Sequence, residues 1–343
     1  MDLAMTWLQQ IEKYLSEDLL TGWSPANVPN LTGKVALVTG ANSGMGYATA
    51  LKLAENGAEV FLVTRDIKDG IQAAEKMRAE VGNHGKALKL HQLQCDMKSL
   101  QNVVQLAEEF KKQSQQLDIL VNMAGVFYPG PLDKTKEGIE QTLGINFFAP
   151  ALLCLLLLDR LKATHGSRIV NMGSAAEAAG KLQWDNLKGE LYKDSGLTPY
   201  GTSKLYLTTW SKELSVRLPD VDVFTVHPGL VATPLHSKSD WKYPLNAIVK
   251  IFAPYLGQGW KRGAISTIYA ATEPSLTGRR WGYFCPNLFM TYHNVERTPF
   301  NHRIIYNEHT GWRLFEETGR ILAAAIGKDK MPAMPQSPFK PDY

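Results

Sequence analysis

Lys34-Val-Ala-Leu-Val-Thr39 runs into Gly40-Ala-Asn-Ser-Gly-Met-Gly46 and then into Tyr47-Ala-Thr-Ala-Leu-Lys-Leu-Ala54. The first piece is a short β-branched apolar run, which reads as a buried strand. The last piece is helical from Gly44 to Asn56. Between them lies a glycine-rich turn. Such a turn lets the backbone approach a pyrophosphate closely, and the helix N-terminus supplies free N–H groups and a favourable dipole.

Outward from this turn the pattern repeats. Strands are predicted at 58–64, 88–95, 118–121, 168–172 and 221–226, and helices at 67–81, 100–113, 135–162 and 200–217. Strands alternating with helices of this length build βαβ units and a parallel sheet. The fold class is therefore α/β, a single Rossmann-type doubly wound parallel sheet with helices on both faces, plus N- and C-terminal extensions. Three segments fall outside the alternation: an amphipathic stretch at 1–30, an insertion at 175–198, and an aromatic tail at 281–343. The tail holds one predicted helix, 310–326, and an end at 332–343 expected to be disordered. The alternating domain is accordingly placed at 31–280.

The chain has 343 residues, 44% hydrophobic, with a formal net charge of +4. That supports a large core and gives no dense basic stripe of the kind a nucleic-acid binder carries. Cys95, Cys154 and Cys285 have neither disulfide-framework nor zinc-site spacing, so no metal is expected. The N-terminus lacks the basic region and unbroken apolar core of a signal peptide. The longest apolar run, 149–158, is shorter than the roughly 20 residues a bilayer requires and reads as a buried helix. The expectation is a cytoplasmic chain, monomeric or homodimeric. Its N-terminal stripe (Trp7, Leu8, Ile11, Tyr14, Leu15, Leu19) is free to pack on the domain or to make peripheral membrane contact.

At the end of the second strand stands Thr64-Arg65-Asp66. A carboxylate ending this strand would accept hydrogen bonds from the adenosine ribose and repel a 2′-phosphate, whereas a guanidinium suits that phosphate. Arg65 thus points to NADP(H), with Asp66 as the counterweight. Further on, Tyr200-Gly-Thr-Ser-Lys204 opens a helix. Its i, i+4 spacing puts Tyr200 and Lys204 on one face, where an ammonium favours phenolate. Ser174 follows the strand 168–172, Asn146 lies in the preceding helix, and Asn122-Met-Ala-Gly125 follows the fourth strand.

With these motifs in this order, the chain resembles the short-chain dehydrogenase/reductase family from about Leu31 to about Ala271. The motifs are TGANSGMG at 39–46, Asp96, NMAG at 122–125, Asn146, Ser174, YGTSK at 200–204 and HPGLVATP at 227–234. Within the family it is most similar to the retinol-dehydrogenase-like and WW-domain-oxidoreductase-like branch. The resemblance implies roles. Tyr200 is the proton donor or acceptor at the substrate oxygen, Lys204 lowers its pKa and holds the nicotinamide ribose, and Ser174 binds the substrate oxygen. Asn146 positions a proton-relaying water. Cofactor contacts are implied for Gly40, Asn42, Ser43, Gly44, Met45, Gly46, Arg65, Asp96, Met97, Asn122, Ala124, Gly125, Tyr200, Lys204, Pro228, Gly229, Val231 and Thr233. The pattern departs at Met123, where the family commonly has Asn, and at Gly173, where it often has Ser; the latter is expected to loosen the substrate loop.

The expected function is NADP(H)-dependent hydride transfer to or from a small-molecule ketone, aldehyde or alcohol. The resemblance makes 31–280 an NADP-binding domain with a substrate lid at 233–260, and the apolar, aromatic 241–260 segment of that lid favours a lipophilic substrate. Two rivals share these features: a non-catalytic NADP(H)-binding sensor, and a nucleotide-sugar epimerase, which usually shows TGxxGxxG rather than the TGxxxGxG found here.

Overall fold

The computed structural model describes residues 23–82, 88–127, 130–229, 231–232, 258–286 and 295–339. Its centre is an eight-stranded sheet. In chain order the elements are β1 (Val35–Thr39), α1 (Gly44–Glu55), β2 (Glu59–Thr64), α2 (Ile67–Val81), β3 (Leu90–Gln94), α3 (Leu100–Gln113), β4 (Ile119–Asn122), α4 (Ala149–Leu156), α5 (Leu158–Ala163), β5 (Arg168–Met172), α6 (Leu197–Arg217), β6 (Asp222–Val226), α7 (Ile265–Thr272), β7 (Trp281–Cys285), β8 (Val295–Glu296) and α8 (Glu308–Ile326). The spatial order is β8-β7-β6-β5-β4-β1-β2-β3, parallel except for the antiparallel edge strand β8.

The strand order reverses between β1 and β4, so the crevice above their C-terminal ends is where ligands bind such sheets. Alternation along the strands divides the core between two faces. Leu37, Phe61 and Val63 join Phe110, Phe148, Leu152, Trp210 and Phe315 on one side. Ala36, Val38, Val60 and Leu62 join Ala50, Leu53, Met77 and Ile268 on the other. Both faces of the sheet are thereby covered, as the unbroken apolar strands require.

The structure departs from the sequence-based expectations in four places. The helix expected over 135–162 begins only at Gln141, continues as a π-helical turn over Gly144–Phe148, and breaks at Leu157 between α4 and α5. Residues 281–343 are not simply a tail. Trp281–Cys285 pairs in parallel with β6 and extends the main sheet, which therefore crosses the boundary drawn at 280. The end expected to be disordered is held along Pro332–Phe339: Arg217 Nη1 donates to Pro335 O (3.0 Å), Ser337 Oγ donates to Glu213 Oε1 (3.0 Å), and Phe339 meets the His309 ring at 5.0 Å. At the other terminus, Trp23 donates to Glu273 and packs edge-on against Tyr269, so residues 23–31 lie on the domain itself. The stripe at Trp7–Leu19 and most of the 233–260 lid lie outside the described residues, as does Thr233. Among the described residues no helix is long and apolar enough to cross a membrane.

Candidate active site

The turn after β1 is shaped by close approach. A Cβ on Gly46 would lie 2.2 Å from Gly40 O, so only glycine lets the first turn of α1 pack against the loop that precedes it. Gly40 has φ +67 and would push a Cβ to 3.1 Å from Ala124 Cα. This packs the loop after β1 against the NMAG loop after β4. Thr39 locks the same junction: its Oγ1 accepts from Met123 N and Ala124 N, both at 3.0 Å. Ser43 is the N-cap of α1 but makes no side-chain capping bond, and Asn42, Ser43, Gly44 and Met45 remain accessible at the mouth. A glycine cradle at a helix N-terminus, open at its rim, fits a dinucleotide pyrophosphate.

Arg65 is exposed just past β2. Its neighbour Asp66 is engaged elsewhere: it caps α2, accepting from Lys68 N at 2.9 Å. Asp96, half-buried past β3, accepts from Lys98 N at 3.0 Å, and Met97 packs into the core beside Cys95. Asn122 points into the sheet's interior, donating to Asn171 Oδ1 (2.8 Å) and contacting Cys154 Sγ (3.2 Å); Asn171 in turn donates to Ser211 (2.8 Å). Asn122 therefore ties β4 to β5 and α6 beneath the crevice. After β6, Gly229 (φ +73) donates its N–H to His227 Nδ1 at 3.1 Å and Pro228 is half-buried. Burial, helped by Arg297, holds the His227 imidazole down to about 4. Val231 falls in a two-residue strand paired with Gln258–Gly259.

The four expected catalytic side chains come from three elements, with Tyr200 and Lys204 both on α6. Asn146 sits in the π-helical turn, a distortion frequent at functional sites. Its amide donates to Val126 O (2.9 Å) and Ser203 Oγ (3.1 Å), and its Oδ1 accepts from Val126 N (2.8 Å). Gly125 leaves room for this: a Cβ there would lie 3.3 Å from Asn146 Oδ1 and 3.8 Å from Lys204 Nζ. Ser174 N-caps the 3-10 turn Ala175–Ala179, accepting from Ala176 N at 3.2 Å, and its side chain lies beside the Tyr200 phenol and favours its ionisation. Gly173 does not loosen this loop. Its N–H donates to Val226 O at 2.7 Å, and a Cβ would press to 2.8 Å from Thr225 Cγ2.

Burial raises the Tyr200 phenol, and Ser174 opposes this. The Lys204 ammonium donates to Met172 O at 2.7 Å and lies 5.7 Å from the Tyr200 ring centroid. Burial lowers Lys204 itself to about 8. Three participants went unnoticed in the sequence. Phe127 meets Tyr200 edge-on at 5.0 Å, Ser203 braces Asn146, and Thr39 braces the NMAG loop. Ser203 and Thr39 lie inside quoted motifs; Phe127 carries no local signal.

The model of the short chain dehydrogenase family matches residues 34–243. The chain belongs to this family. Among its relatives, bovine retinol dehydrogenase 12 is 35% identical over 256 residues, 74% of this chain and 78% of that protein. Mouse retinol dehydrogenase 11 is 35% identical over 280 residues, 80% of this chain and 83% of that one. The family member is thus an oxidoreductase of the retinol-dehydrogenase-like branch. Among solved structures, a Burkholderia cenocepacia short-chain dehydrogenase in complex with NADP aligns with a TM-score of 0.56 and 25% identity, covering 73% of this chain and 95% of that one. A Mycobacterium paratuberculosis protein shares the fold with a TM-score of 0.68 at 24% identity, covering 88% of this chain and 98% of that one.

Proposed function

We propose that this oxidoreductase uses NADP(H) to interconvert a lipophilic ketone or aldehyde and its alcohol, with Tyr200, Ser174 and Lys204 as the catalytic residues and Asn146 as their support. The observation that carries this is the meeting of Tyr200 with Ser174, backed by the buried ammonium of Lys204. When bound, the nicotinamide supplies or accepts the hydride. Tyr200 gives its phenolic proton to the substrate oxygen during reduction, and Ser174 hydrogen-bonds the same oxygen. Two donors aimed at a developing alkoxide supply the largest electrostatic part of catalysis. Lys204, positive below about pH 8, stabilises the phenolate left on Tyr200. Asn146 fixes the loop at Val126 and the helix at Ser203 so that these groups stay aligned.

The residues at Gly40–Gly46 would hold the pyrophosphate, and Lys204 the nicotinamide ribose. Preference for NADP(H) is supported by the exposed Arg65 and by Asp66, whose carboxylate is spent on the α2 cap. The retinol dehydrogenase relatives and the aromatic wall at Phe127 support a lipophilic substrate. A cytoplasmic location with peripheral membrane contact is compatible with the amphipathic N-terminal sequence.

The test is Tyr200→Phe. Carbonyl-dependent NADPH oxidation should fall at least about 100-fold, the ordinary worth of a positioned acid, while NADPH affinity is retained. Near-normal turnover by this variant would remove Tyr200 as the proton donor.

A further inference from the structure

Glu177 lies three residues past Ser174, inside the turn Ala175–Ala179, with a side chain that is 0% exposed. A buried carboxylate is costly unless hydrogen bonds compensate it, and the reaction drawn above gives this one no task. Its partners lie in the C-terminal region. Both carboxylate oxygens accept from Asn301 N at 3.2 Å. The Asn301 side-chain amide returns to Glu177 O at 2.5 Å. Asn301, just before the short helix His302–Ile305, is thus latched to the loop that carries Ser174.

The other side of the same turn is pressed onto the catalytic helix. A Cβ on Gly201 would lie 2.5 Å from Ala176 O, and one on Gly180 would lie 2.7 Å from Gly201 O. Ala176 N donates to Ser174 Oγ at 3.2 Å. The turn is therefore a rigid bridge with the Ser174 hydroxyl at its head, Gly201 beneath it next to Tyr200, and the Glu177 latch at its centre. A shift of the latch moves Ser174 relative to Tyr200.

We infer that Glu177 is a positioning residue: by latching the turn Ala175–Ala179 to Asn301, it sets how Ser174 meets Tyr200, and so makes the C-terminal region part of the catalytic apparatus. The inference rests on the reading that Ser174 and Tyr200 act together on the substrate oxygen. It is tested on the full chain, with the tyrosines labelled at the ring carbon bearing the hydroxyl. Tyr200→Phe assigns the resonance and Ser174→Ala gives the value for a broken contact.

Glu177→Ala should move the Tyr200 titration upward toward that of Ser174→Ala. It should also lower kcat by roughly tenfold, as an ångström-scale misplacement does, with NADPH affinity unchanged. Glu177→Gln, which keeps one acceptor, should fall between. Asn301→Ala, which removes the side-chain bond to Glu177 O and keeps the backbone N–H bonds to the carboxylate, should shift both readouts in the same direction by less. A Tyr200 resonance and a kcat that stay at their parental values in a folded Glu177→Ala, or in Glu177→Gln where Glu177→Ala does not fold, overturn the inference. If the parent turns over no carbonyl yet Glu177→Ala moves the Tyr200 resonance, the reaction is wrong and the positioning role stands.

Discussion

Replacing Gly46 by alanine perturbs one contact whose size can be worked out. The added Cβ would lie 2.2 Å from Gly40 O and 2.8 Å from Gly40 C. A carbon normally stays about 3.3 Å or more from a carbonyl oxygen, so the helix and the turn must part by about 1 Å. The turn has little freedom to yield. Gly40 N and Ala41 N are bonded to Val63 O at 2.9 and 3.3 Å, and Gly40 already abuts Ala124. Overpacking of this kind costs about 1–3 kcal/mol of stability. The displaced N–H groups are those proposed to hold the pyrophosphate. A hydrogen bond to a charged group is worth about 1.5–3 kcal/mol, so losing one weakens cofactor binding by about 10- to 100-fold.

The assay is titration of purified Gly46→Ala with NADPH and with NADH, followed by fluorescence, beside thermal unfolding. Gly82→Ala serves as the control. Gly82 has φ +65 with nothing within 4 Å of its would-be Cβ, and it ends α2 away from the turn. It should lose about 1 kcal/mol of stability from the left-handed backbone alone and bind cofactor normally. Parental affinity for both cofactors in Gly46→Ala would refute the assignment of this turn as the pyrophosphate cradle.

Arg65→Ala should weaken NADPH by at least about tenfold, the worth of one charge-assisted contact, and leave NADH nearly untouched; equal losses for both would show that Arg65 does not read the 2′-phosphate. Because burial lowers Lys204 to about 8, the lysine is a cation below that pH and neutral above it. The kcat/KM for carbonyl reduction should therefore be flat at neutral pH and fall toward tenfold per unit above about pH 8, and a profile without that break would exclude Lys204 as the titrating group. Phe315 stacks on Trp210 at 5.3 Å, is fully buried, and carries the Arg217 guanidinium 4.0 Å from its centroid. Phe315→Ala should cost about 3–5 kcal/mol in a denaturant titration; a loss below about 1 kcal/mol would show that α8 contributes little to the fold.

Much of this protein was legible without coordinates. The strand–turn–helix order from Val35 to Val226, the placement of Gly40–Gly46, Ser174, Tyr200 and Lys204, and the two-sided burial of the sheet are written in local signals: β-branched runs, turn glycines and spacing along one helix face. Those signals act over a few residues, so a linear reading captures them. The tertiary structure alone decided what depends on residues far apart in the chain. Trp281–Cys285 reads as part of an aromatic tail until β6 offers it a parallel partner. Nothing local marks Glu177 until Asn301 meets it, and Lys204 becomes a low-pKa ammonium only once the fold buries it. Asp66 stood in the sequence only as the counterweight to Arg65. The backbone of α2, which presents Lys68 N to it, chose the cap. Burial, desolvation and hydrogen bonds across a hundred residues of chain exist only in the folded molecule, and they set the energetics of the groups whose identities the sequence had already declared.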